Sequence, residues 1–287
     1  MTLIKTNQTN LPFAGDRGSR RGRTQDLAVV TGAGSGIGRA IALQLARRGV
    51  PCCFVGRTLS KLQNVADLAS GAGAEAIPMA VDLCNLKGIA NIAEQVRALG
   101  RPVGLLVHSA ALMTHSLVEE SSVEHFSQLL NVNVLAPFAL TKHLLPEICA
   151  SKGQIVFVNS SIVNNAAAGT VMYAATKHAL KGLADGLRQE LNIRGVRVIS
   201  IYPGRTATPL QASVLAAEGR QYRPEILLQP EEVAAMVRTC FARYSESNGH
   251  HDPPCDQVVK RLNFDWSGPL KQPLKGHENG ESVDVPG

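Results

Sequence analysis

The chain has 287 residues, room for one large α/β domain or two small ones. Hydrophobic residues make up 45% and charged residues 18%, a balance that excludes a disordered polyelectrolyte and suits a globular protein. The formal charge of +6 is lopsided, because residues 1–25 hold Lys5, Arg17, Arg20, Arg21 and Arg23 against Asp16 alone. This stretch reads as a basic, disordered leader. Aromatic residues are only 4% and no basic stripe recurs, so no nucleic-acid partner is expected. No run reaches about 18 apolar residues, so no membrane span is expected, and Met1 to Asn10 contain no signal-peptide core. Cys52, Cys53, Cys84, Cys149, Cys240 and Cys255 form no CxxC pair and no metal-ligand spacing. They read as buried free thiols in a reducing, cytoplasmic setting, with no metal.

After the leader comes a patterned body over residues 26–262, then an irregular tail, 263–287, rich in Gly and Pro. The body opens with the apolar run Leu27–Val30, a predicted strand. It passes directly into Thr31-Gly-Ala-Gly-Ser-Gly-Ile-Gly38 and a helix over 36–48. A glycine-rich turn between a strand and a helix is what a dinucleotide fingerprint requires: the backbone turns tightly, approaches a pyrophosphate, and aims helix amides at its charge. Gly32, Ser35, Gly36, Ile37 and Gly38 are therefore candidate cofactor contacts.

Cys52–Val55 reads as the second strand and ends at Gly56-Arg57, about 20 residues past Gly36, where an acid would select a ribose 2′-hydroxyl. Here no acid stands, and Arg57 offers a guanidinium fork suited to a 2′-phosphate. The expectation is NADP(H) in preference to NAD(H), with NAD(H) still possible. Alternatively Arg57 is a solvated turn residue ahead of Thr58, a candidate cap of the helix over 59–70. Ala76–Val81 is the third strand; Asp82 and Leu83 after it are placed either at an adenine edge or, for Asp82, at the cap of the helix over 86–98.

Further strands are expected at Gly104–Val107, Ile155–Val158 and Val196–Tyr202, with helices over 122–149, 171–194 and 230–244. Cys255–Leu262 is a candidate seventh strand. Short apolar runs alternating with longer helical patterns predict one Rossmann-type, doubly wound parallel sheet flanked by helices on both faces. His108 after the fourth strand reads as a strand-end histidine that meets backbone groups.

Tyr173 and Lys177 stand four residues apart on the helix over 171–194 and so share a face. Tyrosine normally titrates near 10, and a neighbouring ammonium would favour the phenolate that acid–base work requires. Ser160 lies thirteen residues before Tyr173, at the end of a predicted strand. Strand register and this gap favour it over Ser161.

A TGxxxGIG loop followed by YxxxK, with a serine thirteen residues before the tyrosine, resembles the short-chain dehydrogenase/reductase family in its compact single-domain branch. The resemblance runs from about Leu27 to Arg243. It implies Tyr173 as proton donor or acceptor, Lys177 on the nicotinamide ribose and tuning Tyr173, and Ser160 orienting a substrate oxygen. It also implies Asn133, favoured over Asn131, holding a relay water, with Ala110, Pro203, Gly204, Thr206 and Thr208 beside the cofactor. Where the family carries Asn-Asn-Ala-Gly, this chain has His108-Ser-Ala-Ala111. The implied activity is interconversion of an alcohol and a carbonyl by hydride transfer, in a homodimer or homotetramer. The alternatives are a non-catalytic, redox-sensing dinucleotide binder and a nucleotide-sugar epimerase or dehydratase.

Overall fold

The computed structural model describes residues 26–246, with side chains to 241. The leader, the tail and the candidate strand Cys255–Leu262 lie outside the described residues. Six strands form one sheet: β1 (Leu27–Thr31), β2 (Cys52–Gly56), β3 (Ala76–Ala80), β4 (Val103–His108), β5 (Gln154–Val158) and β6 (Arg197–Ile201). All pair in parallel, in the order β3-β2-β1-β4-β5-β6. The order reverses between β1 and β4, so the crevice for a ligand opens above the C-terminal ends of these two strands.

Every residue of β1, β4 and β5 is buried, which is why these strands read as continuous apolar runs. Helices α1 (Gly36–Ala46), α2 (Leu59–Gly71) and α8 (Pro230–Glu246) cover one face. Their core joins Ile41, Leu45, Leu62, Val65, Val233 and Val237 to Val30, Phe54 and Val156. The other face carries α3 (Leu86–Ala98), α4 (Val123–Leu130), α5 (Ala136–Ala150) and α6 (Val171–Asn192), with Ile89, Leu140, Leu144 and Leu180 on Val29, Leu106 and Phe157.

Three expectations are corrected. The helix over 122–149 is interrupted, because Asn131–Leu135 forms a π turn between α4 and α5. Pro137, at the start of α5, has no N–H for the carbonyl of Asn133 four residues back and crowds it, which favours the wider turn. Asp82 does not cap α3; Asn85 does, accepting from the Gly88 amide at 3.1 Å. Tyr202 lies beyond β6. The segment 205–229 contains an additional helix, α7 (Pro209–Ala217), capped by Thr208 through the Gln211 amide. Cys52, Cys53 and Cys240 are buried free thiols, whereas Cys84 and Cys149 are half-buried.

Candidate active site

The loop from β1 to α1 needs glycine at three places for three reasons. Gly32 has φ +70° and runs so close to β4 that a Cβ would sit 2.9 Å from the Ala110 backbone. Gly36 has φ +53°, and its Cβ would meet the Thr208 methyl at 3.0 Å. Gly38 packs directly on the Gly32 carbonyl, leaving no room for a side chain. The N-terminus of α1 carries no acidic residue in its first turn, and the Ser35 side chain makes no capping bond. Its amides are thus left to an anion. This cradle fits a dinucleotide pyrophosphate.

Thr31 ties the loop to β4. Its hydroxyl donates to the Val107 carbonyl at 3.3 Å and accepts from the amides of Ser109 and Ala110 at 3.1 and 3.2 Å. Arg57 is exposed in the turn after β2, within electrostatic reach of Cys84, and forms no ion pair among the described residues. The Asp82 carboxylate accepts from the Cys84 amide at 2.9 Å and so shapes its own turn; Leu83 is buried.

His108 is corrected in its partner. It is 3% exposed, and its Nε2 lies 2.8 Å from the Thr141 hydroxyl, while its ring stacks on Phe157 with centroids 4.9 Å apart. Burial holds it far below the usual histidine range, at about 3, so it stays neutral. Within His108-Ser-Ala-Ala111 the histidine is therefore a packing residue.

Ser160, Tyr173 and Lys177 come together between the end of β5 and the first turns of α6. The Ser160 side chain interacts with the Tyr173 hydroxyl. Ser161, by contrast, is exposed. Lys177 is 1% exposed; its Nζ donates to the Val158 carbonyl at 3.1 Å and lies 5.6 Å from the centre of the Tyr173 ring.

This corrects the electrostatic expectation. Burial pushes Tyr173 up to about 12, and the opposing influence is the Ser160 hydrogen bond rather than the lysine. Burial also pushes Lys177 down to about 8. The ammonium leans on a backbone carbonyl instead of the phenol, so in the protein alone it does little to favour the phenolate.

Asn133 lies in the π turn between α4 and α5. It is 1% exposed, and its Oδ1 accepts from the Leu112 amide at 2.8 Å. Its Nδ2 donates to the Leu112 carbonyl at 2.8 Å and to the Thr176 hydroxyl at 3.0 Å. The side chain is fully engaged in joining the π turn, the loop after β4 and α6. Pro137 has no N–H to donate to the main-chain carbonyl of Asn133. Asn131 is only half-buried.

Pro203 and Gly204 follow β6. The segment beyond them folds over the crevice: Ala207 donates to the Leu228 carbonyl at 2.8 Å and Leu228 to the Arg205 carbonyl at 3.1 Å. Arg205 grips Glu218, at the far end of α7, through two hydrogen bonds of 2.9 and 2.7 Å. Sequence reasoning missed this clasp. Thr206 and Thr208 are buried, and the Thr208 methyl contacts the glycine loop at Gly36. No group of acidic, histidine and cysteine side chains suited to a metal occurs among the described residues.

A sequence profile described as short chain dehydrogenase matches residues 26–219. The chain belongs to the short-chain dehydrogenase/reductase family. An uncharacterised short-chain type dehydrogenase/reductase of Sinorhizobium fredii is 32% identical over 221 residues, 75% of this chain and 85% of the relative. Among solved structures, the alcohol dehydrogenase of the archaeon Thermococcus sibiricus, complexed with 5-hydroxy-NADP, superposes with a TM-score of 0.69 at 26% identity. The match covers 76% of this chain and 90% of that one. A short-chain dehydrogenase of Sphingobium yanoikuyae, in complex with NADPH, superposes with a TM-score of 0.68 at 25% identity, covering 76% and 85%. As a family member with oxidoreductase relatives, the chain is an oxidoreductase rather than a passive dinucleotide binder.

Proposed function

We propose that this oxidoreductase interconverts an alcohol and a carbonyl with NADP(H), through Ser160, Tyr173 and Lys177. The observation that carries the proposal is the convergence of these three side chains where the end of β5 meets α6, with Lys177 Nζ 5.6 Å from the centre of the Tyr173 ring and Ser160 beside the Tyr173 hydroxyl. The cofactor, when bound, accepts or supplies the hydride. Ser160 fixes the substrate oxygen and Tyr173 gives or takes its proton. Lys177 serves the ribose, and the Asn133 carbonyl holds a water that continues the proton path. Gly32, Ser35, Gly36, Ile37 and Gly38 hold the pyrophosphate; Asp82, Leu83 and Ala110 border the adenosine side, and Pro203, Gly204, Thr206 and Thr208 the nicotinamide.

The preference for NADP(H) rests on Arg57, an exposed guanidinium at the end of β2 where no carboxylate opposes a 2′-phosphate. The solved relatives in complex with NADP-type cofactors support it. NADP(H) should bind more tightly than NAD(H), and Arg57→Ala should erase most of the gap while sparing NAD(H). A charge-assisted hydrogen bond contributes about 1.5–3 kcal/mol, so the expected loss is about 10- to 100-fold in NADP(H) affinity. Fluorescence titration of both cofactors checks this, and tighter NAD(H) binding by the unaltered protein overturns it.

The substrate we envisage is a medium-sized, partly apolar ketone or alcohol, because Leu210, Tyr222 and Ile226 are exposed on the segment over the crevice. A panel of carbonyls and alcohols followed by NADPH absorbance, with NADH in parallel, tests the activity itself. No described helix is long and apolar enough to cross a membrane; a cytoplasmic location is part of this proposal.

Self-association is proposed through the outer faces of α5 and α6. Leu180 and Leu191 are 2% exposed and Leu183 and Leu187 pack beside them, so that leucine stripe faces the sheet and offers no interface. Exposed apolar groups on or beside these helices include Leu135, Phe138, Val171 and Ile193. Light scattering should return a dimer or tetramer; a single species near the chain mass of 30.5 kDa at micromolar concentration overturns it.

A further inference from the structure

Three consecutive residues at the end of β5 each hold part of the tyrosine–lysine pair. The Val158 carbonyl accepts from Lys177 Nζ at 3.1 Å. The Asn159 side chain donates through Nδ2 to the main-chain carbonyl of Lys177 at 3.2 Å. Ser160 meets the Tyr173 hydroxyl. The first and third contacts involve groups already placed in the chemistry; the middle one does not.

We propose that Asn159 is a positioning residue, which fixes the reach of the Lys177 ammonium by pinning the root of that side chain to the same strand tip that holds its end. A lysine stem has four rotatable carbons, and its head is held here by the hydrogen bond to the Val158 carbonyl. Pinning both root and head to adjacent residues of one strand removes most of that freedom. The Asn159 amide donates in turn to the Ile201 carbonyl at 2.8 Å, so β6 braces the tip as well.

Asn159 is 4% exposed, yet its Oδ1 is buried without a hydrogen-bond partner. An amide buried with an orphaned acceptor is unfavourable compared with an apolar side chain of the same size. Packing alone therefore does not explain an asparagine here, whereas the donor end of its amide does. The position belongs to the sheet-to-helix junction, and its side-chain donor is spent on the Lys177 carbonyl, so in this proposal Asn159 acts through Lys177.

This inference rests on the proposed role of Lys177, and its test needs neither substrate nor cofactor. Lys177 Nζ can be titrated by side-chain NMR of isotopically labelled lysine, with its resonance assigned by its absence in Lys177→Arg. In Asn159→Ala the amide is replaced by space for water and the ammonium is released from its set position. The Lys177 midpoint should then rise by about half a unit or more toward the free-lysine value. Asn159→Ser, a smaller disturbance, is read by the same criterion should the alanine variant fail to fold. A midpoint that stays where it was, even with a lowered melting temperature, overturns the proposal. An unaltered protein that reduces no carbonyl overturns the proposed activity and leaves this titration intact.

Discussion

Replacing Tyr173 by phenylalanine should cut turnover by about 10²–10⁴-fold while leaving the fold in place. The substitution removes one hydroxyl from a side chain that is 7% exposed and keeps the ring that packs there. In free-energy terms the loss is about 3–5 kcal/mol of transition-state stabilisation. Cofactor affinity should change little, because the missing atom faces Ser160 and, in the proposed mechanism, the substrate. Lys177→Ala should differ by weakening cofactor binding and turnover together, since in the proposed mechanism one ammonium serves both. Steady-state kinetics with a verified substrate, beside cofactor titration, separates the two variants. Near-normal turnover in Tyr173→Phe would remove the tyrosine from the proton path.

The second large effect is expected at Gly38. Its missing Cβ would fall on the carbonyl of Gly32, and backbone cannot swing aside as a flexible side chain can. In Gly38→Ala either α1 lifts away from the loop or the loop leaves β4. Overpacking of this kind costs about 1–3 kcal/mol, and both escapes disperse the amides aimed at the pyrophosphate. Cofactor binding should fall below detection in a titration that the unaltered protein passes. Gly71→Ala is the matching control: nothing lies within 4 Å of its would-be Cβ. At that exposed helical position alanine should be neutral or stabilising by up to about 1 kcal/mol. Unimpaired cofactor binding by Gly38→Ala would refute the close-approach argument.

These effects trace back to features with unequal visibility in the amino-acid sequence. The strands were legible because burial on both faces makes β1, β4 and β5 apolar without interruption. The pairing of Tyr173 with Lys177 was legible because helical spacing places them on one face. The π turn was not, since the apolar period continues across it while the hydrogen-bond register changes. Pro137 was its one available signal. The seat of Lys177 was equally hidden: its partner is the backbone carbonyl of Val158, identical in every residue type, and only the tertiary fold selects it. His108 illustrates the same limit. Its neutrality comes from burial against Phe157 and Thr141, residues 49 and 33 positions away in sequence.

The π turn has a consequence for how this chain tolerates length changes. Such a turn is an α-helix carrying one residue too many, so deleting a single residue between Asn131 and Leu135 would let α4 and α5 fuse in regular register. By local hydrogen bonding the shortened chain would be the better helix. Yet each residue of an α-helix advances the face by about 100°, and half the fused rod would rotate by that much against its neighbours. Either Asn133 would leave Leu112 and Thr176, or Leu140 and Leu144 would leave the sheet. An insertion elsewhere in this rod would be absorbed at a loop; here the surplus residue is what lets one helix face two directions at once.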